Sequence, residues 1–503
     1  MGIVIRQSIK TSLVVVSGAI LGILVVFLST KYPSKPQYGY IKTITNYALV
    51  LSQILLFGLN STLAVYIHKY TENIPKSKLL ITFCLTIPTI LISIFSIIYL
   101  FTKKWVLHHF QPDDIPYMNR YYIWLPLFIT LFLYMTIFEQ FLGSQMKVAI
   151  SAFMREIVIR VVNILLLVLF ALNLISFDVL VIGIILSYFL PVAIFIFISL
   201  GTKVFGISFN FNEFSKAEYS ELISFSWYHF LYNISMMLIG YLDTISLPFY
   251  DHKGLSSVAI YTVGVFLISI LQMPLKALMS SSFTVLAKAF ADNDMVKAGD
   301  IFRRTSINVF IPTVLISLLL VCNLQNVVDT IGKGYSEIKL VFLILLTGAL
   351  FNIATGMNDQ VISTAKYYKF NFYLSTTIML MLFAMIRVLV PRYGIYGAAF
   401  STTITYIVFN TIKYIFIKKK LDMQPFSTGT VLTIIAALPA LAAGYFFPNL
   451  FNSVSNIYVH AFLDASIRSI IITIIYVLML IWLKPSDDLD GYITTIRRDK
   501  RLF

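Results

Sequence analysis

Residues 241–280 read YLDTISLPFYDHKGLSSVAIYTVGVFLISILQMPLKALMS, the middle of two long apolar segments (224–291) joined by the polar turn Tyr250, Asp251, His252, Lys253 and Gly254. Each segment carries one charge deep inside it, Asp243 before the turn and Lys276 after it. A carboxylate or ammonium near the centre of a bilayer costs several kcal/mol, so such residues face a bundle interior or a water-filled cavity. The hairpin therefore reads as a wall of a polar pathway. Gln272, one turn before Lys276, and Pro274 beside it turn one face of the second segment polar and interrupt its hydrogen-bond ladder. The competing reading is an ion pair of Asp243 with Lys276 that only fixes packing.

The rest of the chain agrees with a membrane setting. Of its 503 residues 58% are hydrophobic and 12% charged, against about 25% charged in soluble domains, and its mean hydropathy is +0.85. These values predict an all-α integral membrane protein. Aromatics at 15% suit interfacial belts and a cavity lined by amphipathic rings. The net charge of +15 is assigned to anionic lipids of the cytoplasmic leaflet. No nucleic-acid module appears, and no nucleic-acid partner is expected. Cys84 and Cys322 both lie in apolar segments, with neither a disulfide framework nor a metal spacing. Arg6 and Lys10 precede an apolar run at 13–28, but Ser29, Thr30, Lys31 and Tyr32 offer no small-residue cleavage site, which predicts a retained first helix.

With about 20 apolar residues per span, about fourteen transmembrane helices are expected, near 11–30, 42–67, 79–101, 121–142, 152–172, 177–200, 223–249, 256–283, 305–323, 338–362, 371–390, 394–417, 429–447 and 459–483. Pro33, Pro36, Pro112, Pro116, Pro391, Pro425, Pro448 and Pro485 mark the turns. The positive-inside rule places both termini in the cytoplasm, together with Lys69, Lys76 and Lys78, with Lys288, Lys297, Arg303 and Arg304, with Lys418, Lys419 and Lys420, and with the tail residues Arg497, Arg498, Lys500 and Arg501. Two cytoplasmic links read as amphipathic and surface-lying: 205–222, with Glu213, Lys216 and Glu218 against Phe209, Phe211 and Phe214, and 288–304.

The first link joins two halves that carry a weak internal repeat. Glu139 and Gln140 near the end of the fourth span recur as Asp359 and Gln360 near the end of the tenth, 220 residues on. The same offset lays 40–73 over 260–293. A shift of six spans preserves orientation, as in transporters built from parallel repeats. The expected organisation is an N-terminal lobe at 1–204, a cytoplasmic linker at 205–222, a second lobe at 223–420, and two C-terminal helices with a tail at 421–503. Glu139 and Asp359 are expected at equivalent depths near the cytoplasmic mouth, paired with Lys147 and Lys366.

Several stretches then resemble the polysaccharide (O-antigen-type) flippases of the multidrug/oligosaccharidyl-lipid/polysaccharide (MOP) transporter superfamily. They are Tyr38 and Gly39 entering the second span, Gly58 and Leu59 with a polar exit at 66–70, Asp243 in the seventh span, and the basic loop from Ala287 to Arg304. The most specific is Tyr393, Gly394, Ile395, Tyr396, Gly397, Ala398, Ala399, Phe400, Ser401 and Thr402, followed by Lys418, Lys419, Lys420, Pro425 and Phe426. Small residues there read first as close helix packing. The resemblance implies a two-lobed bundle with an alternating-access cavity and two extra C-terminal helices. Two departures stand out: Ser257, Val258, Ala259, Ile260 and Tyr261 replace a glycine-rich turn, and the first span lacks the arginines associated with lipid II flippases.

No catalytic constellation is assembled and no cofactor is expected. His108 and His109 beside Asp113 and Asp114 read as solvated loop polarity rather than a metal site. His229 and Asn233 share a helix face, with Asp243 further along, a stripe that fits packing or sugar binding alike. Arg155, Glu156, Arg160 and Asn163 open the fifth span, where the cations either bind a pyrophosphate or snorkel to headgroups. Arg387 is expected to snorkel, and Arg468 to pair with Asp464 one turn earlier. The reading is a transporter, not an enzyme. It flips an undecaprenyl-pyrophosphate-linked oligosaccharide across the bacterial plasma membrane, with membrane lipids, a coupling proton or sodium ion, and a polymerase and glycosyltransferases as partners. The alternatives are a cation-coupled multidrug exporter of the same superfamily and a membrane glycosyltransferase or polymerase.

Overall fold

The computed structural model describes residues 2–448 and 455–491; the basic tail at 497–501 lies outside them. Every regular element among the described residues is helical. The chain divides into two compact units, Met1–Ala259 and Ile260–Phe503.

The first unit runs through helices Gly2–Lys31, Lys35–Leu56, Leu59–Lys69, Ile74–Phe101, Trp124–Ser144, Val148–Phe153, Ile159–Ala171, Phe177–Ser187, Phe189–Leu200 and Lys216–Tyr250. Local sequence sets their starts. Ser34 and Gln37 form a reciprocal capping box with Pro36 just inside, Asn73 accepts from the Lys76 N–H, and Ser215 and Glu218 form a second box, each satisfying N–H groups that a helix start leaves without partners. The stretch 103–120 holds two short helices, Lys103–His108 and Ile115–Arg120.

Helix Leu255–Leu271 begins in the first unit and runs into the second, which goes on with Met273–Ala291, Met295–Cys322, Leu324–Ile331, Ile338–Ala354, Asn358–Thr364, Tyr368–Tyr393, Ile395–Leu421, Thr428–Tyr445 and Ile457–Leu483. The helix break expected near Pro274 falls at Gln272, with Pro274 in the first turn of the new helix. Gly394, at φ 56°, separates the helices on either side of it. A Cβ on Gly397 would come 2.2 Å from the Leu389 carbonyl oxygen, so that glycine serves tight packing.

All fourteen apolar windows fall on a helix or an interrupted helix. Among the described residues, however, nine helices are long and apolar enough to cross a membrane singly, or ten if Lys35–Leu56 and Leu59–Lys69, bent by 50°, form one span. For four of the windows there is a physical reason: helices break at Phe57 and Gly58 and at Gln272, pass through a π-turn at Met154–Val158, and in Ile395–Leu421 carry Ser, Thr and Asn among the apolar residues.

The links also depart from expectation. The stretch 288–304 is no separate surface helix but the end of Met273–Ala291, a turn, and the start of Met295–Cys322. In 205–222, Phe214 is buried against Tyr70 instead of facing outward with Phe209 and Phe211. The repeat, in contrast, shows in the boundaries: helices start at Lys35 and Leu255 and end at Ser144 and Thr364, each pair 220 residues apart. Beyond the latter ends, Met146 (φ 57°) and Lys366 (φ 66°) both adopt the left-handed conformation. The next N–H in each case reaches back five residues, Lys147 to Leu142 O at 2.9 Å and Tyr367 to Ile362 O at 3.0 Å, the helix-ending motif of a left-handed cap.

Candidate functional site

In the first unit the charged residues of the fifth span meet on a π-turn. Met154–Val158 has π geometry, a local widening that recurs where side chains are re-aimed for function. Arg155 Nη1 lies 2.9 Å from Glu139 Oε1 and its Nε 3.4 Å from Glu156 Oε1. Arg160 Nη2 reaches Glu156 Oε2 at 2.5 Å, and its Nη1 donates to the Gly18 carbonyl. Glycine is required there because a Cβ on Gly18 would lie 2.8 Å from Glu156 Cβ. Lys42, half-buried over the Tyr38 ring, lies within reach of the like charge of Arg160. Asn163 accepts from Ser187 Oγ at 3.5 Å.

One expectation is corrected by this network. Glu139 pairs with Arg155 and not with Lys147, because the π-turn swings the guanidinium back over the end of the preceding helix. Arg160, for which the sequence leaves pyrophosphate binding and snorkelling both open, contacts Glu156 and the Gly18 carbonyl within the unit. Three cations, Lys42, Arg155 and Arg160, stand here with two carboxylates, and Arg155 engages two of its five N–H donors.

The other candidates of this unit lie on Lys216–Tyr250. Asp243 is 3% exposed, its Oδ1 accepting from the Thr244 N–H at 2.6 Å and hydroxyl at 3.2 Å. His229 packs on Phe225 with ring centroids 4.2 Å apart, and Asn233 donates to Ser61 Oγ at 3.1 Å. Both contacts are compatible with helix packing and leave the sugar-binding reading standing beside it. Tyr241 feels both Asp243 and Arg155.

In the second unit Lys276 is exposed on Met273–Ala291, and Gln272 caps that helix half-buried. Asp359 pairs with Lys413 at 2.6 Å, not with Lys366. The reason is the left-handed turn at Lys366, which leaves that side chain exposed, while Lys413 is 1% exposed with its ammonium 3.3 Å from the Phe409 ring centroid. Asn410 bridges Thr355 (3.2 Å) and Asn352 (2.9 Å) beside it. Gln140 and Gln360 are half-buried. The expected pair of Arg468 with Asp464 is present at 3.1 Å, and Arg468 also donates to Gly444 O at 2.6 Å. Among the described residues no group of three or more possible metal ligands is gathered.

Lys42 and Lys413 are not marked by depth in the sequence: Lys42 opens the apolar window 42–67, and Lys413 lies four residues from the end of 394–417.

A sequence profile described as polysaccharide biosynthesis protein matches residues 4–290. No curated protein matches the sequence. Among solved structures, the lipid II flippase MurJ in an inward closed conformation has a TM-score of 0.72 at 16% identity, covering 94% of this chain and 98% of that one. An inward-facing multidrug resistance MATE family transporter of the MOP superfamily gives 0.64 at 12% identity over 82% and 98%. A MOP superfamily transporter from Pyrococcus furiosus gives 0.53 at 11% over 84% and 95%. The fold is that of MOP-superfamily transporters.

Proposed function

We propose that this chain, which belongs to the polysaccharide biosynthesis protein family, is a flippase that carries an undecaprenyl-pyrophosphate-linked oligosaccharide from the inner to the outer leaflet of a bacterial plasma membrane. The observation that carries this reading is the set of Lys42, Arg155 and Arg160 gathered around the π-turn inside a membrane-spanning unit. Cations so placed are costly in lipid and are kept where they meet an anion. A guanidinium offers the paired N–H donors that match phosphate oxygens, and Lys42 adds a point charge. Only the headgroup needs such a path, since a polyprenyl tail remains in hydrocarbon throughout.

The mechanism is alternating access: the polar path opens to one leaflet, takes up the charged headgroup, and then opens to the other. Lys276, exposed on a helix of the second unit, is a separate candidate for meeting the headgroup. Asp243 serves as a counter-charge or as a protonatable group that couples proton or sodium movement to the change of state. Glycosyltransferases would make the cargo and a polymerase would receive it. A cationic-drug exporter would favour carboxylates over cations along its path, and a membrane glycosyltransferase would need catalytic acids on a substantial loop.

The test is flipping of an undecaprenyl-pyrophosphate-linked oligosaccharide in proteoliposomes, read as loss of access to an impermeant sugar-modifying reagent. Lys42→Ala with Arg155→Ala should slow it at least tenfold at unchanged reconstitution, with Lys42→Arg largely active. An undiminished rate in the double variant removes the site, and export of cationic drugs with no flipping by the unaltered protein removes the function.

A further inference from the structure

The strap from Gly201 to Ser215 leaves the helix Phe189–Leu200 and enters Lys216–Tyr250, and its two ends are pinned. Phe205 packs against Phe138 and Phe141 at 5.9 and 5.4 Å, and buried Phe214 packs against Tyr70 at 5.3 Å. Between the pins the Ser208 N–H donates to Thr82 Oγ1 at 2.8 Å, and Gly206 rests on the Lys78 stem. That anchoring turns Ile207, Phe209 and Phe211 outward at 63%, 67% and 58% exposure. Three large apolar side chains held out together mark a surface that is covered by something.

The lysines at this end sort into two groups. Lys76 is held by Glu218 at 2.6 Å and Lys69 by Glu221 at 3.4 Å. Lys78, Lys203 and Lys216 have no carboxylate partner among the described residues. The strap is also continuous with an exposed apolar flank of its own unit, where Ile223, Trp227 and Tyr228 stand about two to three turns into Lys216–Tyr250, and Trp and Tyr favour the membrane–water boundary.

We infer that the strap is a lipid-docking element: Ile207, Phe209 and Phe211 dip into the headgroup boundary of the leaflet on which it emerges, and Lys78, Lys203 and Lys216 bind the phosphates of anionic phospholipids there. Apolar insertion supplies the hold and anionic lipid strengthens it. This holds whatever the transported cargo is.

The full chain, with Cys84 and Cys322 replaced by Ala and Phe209→Cys or Asn212→Cys carrying a nitroxide, is reconstituted in phosphatidylethanolamine vesicles with or without about one third phosphatidylglycerol. The label at 209 should collide with oxygen more than with a water-soluble nickel chelate, and the label at 212 should show the reverse. Lys78→Gln, Lys203→Gln and Lys216→Gln together should shift the 209 label several-fold toward the chelate in the anionic vesicles only. In the unaltered protein, amide exchange over 205–214 should slow several-fold when phosphatidylglycerol is added. Equal water access at 209 and 212, or exchange indifferent to anionic lipid, overturns the inference.

Discussion

Lys276 and Lys413, both cations in apolar helices, differ in their surroundings. Lys413 is committed: its ammonium is 2.6 Å from Asp359 and is closed off from solvent. Lys276 is exposed. Lys276→Ala should therefore abolish lipid-linked sugar export with normal membrane insertion, while Lys276→Arg keeps part of it because the charge survives. Asp243→Asn combined with Lys276→Gln should remain inactive; recovery of export in that double variant would assign Lys276 to packing instead. Asp114 gives a test of a different kind, outside the spans. Its Oδ2 accepts from the Leu255 N–H at 2.8 Å, and burial, with help from Asp113, pushes its pKa up to about 6 against the pull of that N–H. A carboxyl raised above its unfolded value stabilises the fold fully below about pH 4, and that contribution is lost as pH rises through about 6. Thermal unfolding should thus shift downward between those values by the equivalent of roughly 1–2 kcal/mol. Asp114→Asn keeps the acceptor oxygen and should flatten the slope.

Elements were read from the sequence with uneven success, and the misses share a cause. Windows of hydropathy located every long helix, and Pro274 located the break beside Lys276, because apolar length and a missing N–H are properties of the local chain. The π-turn at Met154–Val158 was not legible. Nothing in Met154, Arg155, Glu156, Ile157 and Val158 breaks a helix, and the contacts the turn makes, with Glu139 and Gly18, come from other helices. The wrong partners assigned to Glu139 and Asp359 follow from this, since nearness along the chain was the only guide to Lys147 and Lys366. Pairing of Arg468 with Asp464 was legible because it lies within one helix at i, i+4. Glycines mark where close approach, rather than hydropathy, sets an element's place. A Cβ on Gly39 would lie 1.8 Å from the Leu255 carbonyl oxygen, backbone against backbone with no flexible atom to yield. Gly39→Ala should cost about 1–3 kcal/mol or more by overpacking. Gly143→Ala, with nothing within 4 Å, should be neutral or stabilise its helix by up to about 1 kcal/mol. Unfolding midpoints in detergent compare the two, and equal losses would refute the packing assignment of Gly39.

At the scale of the whole molecule the open quantity is orientation, which hydropathy cannot supply because an apolar helix reads the same from either end. The charge pattern can. Insertion retains Lys and Arg in short loops on the cytoplasmic side whatever acidic residues stand among them, and the turn between Met273–Ala291 and Met295–Cys322, itself Asp292, Asn293 and Asp294, is flanked by Lys288, Lys297, Arg303 and Arg304. Lys297 is exposed near the start of its helix, where the Asp294 side chain accepts from its N–H, so a thiol placed there would react if the reagent reached it. Trp105, 68% exposed on the short helix Lys103–His108, is the counterpart for the opposite face, one crossing by Ile74–Phe101 away from Lys76. In intact cells, with Cys84 and Cys322 removed, Lys297→Cys should resist a membrane-impermeant maleimide until the membrane is permeabilised, and Trp105→Cys should label at once. The opposite pattern would invert the orientation and with it the leaflet from which the cargo is taken. Labelling of both positions from outside would mean that the number of crossings between 105 and 297 is even, contrary to the order of spans drawn here.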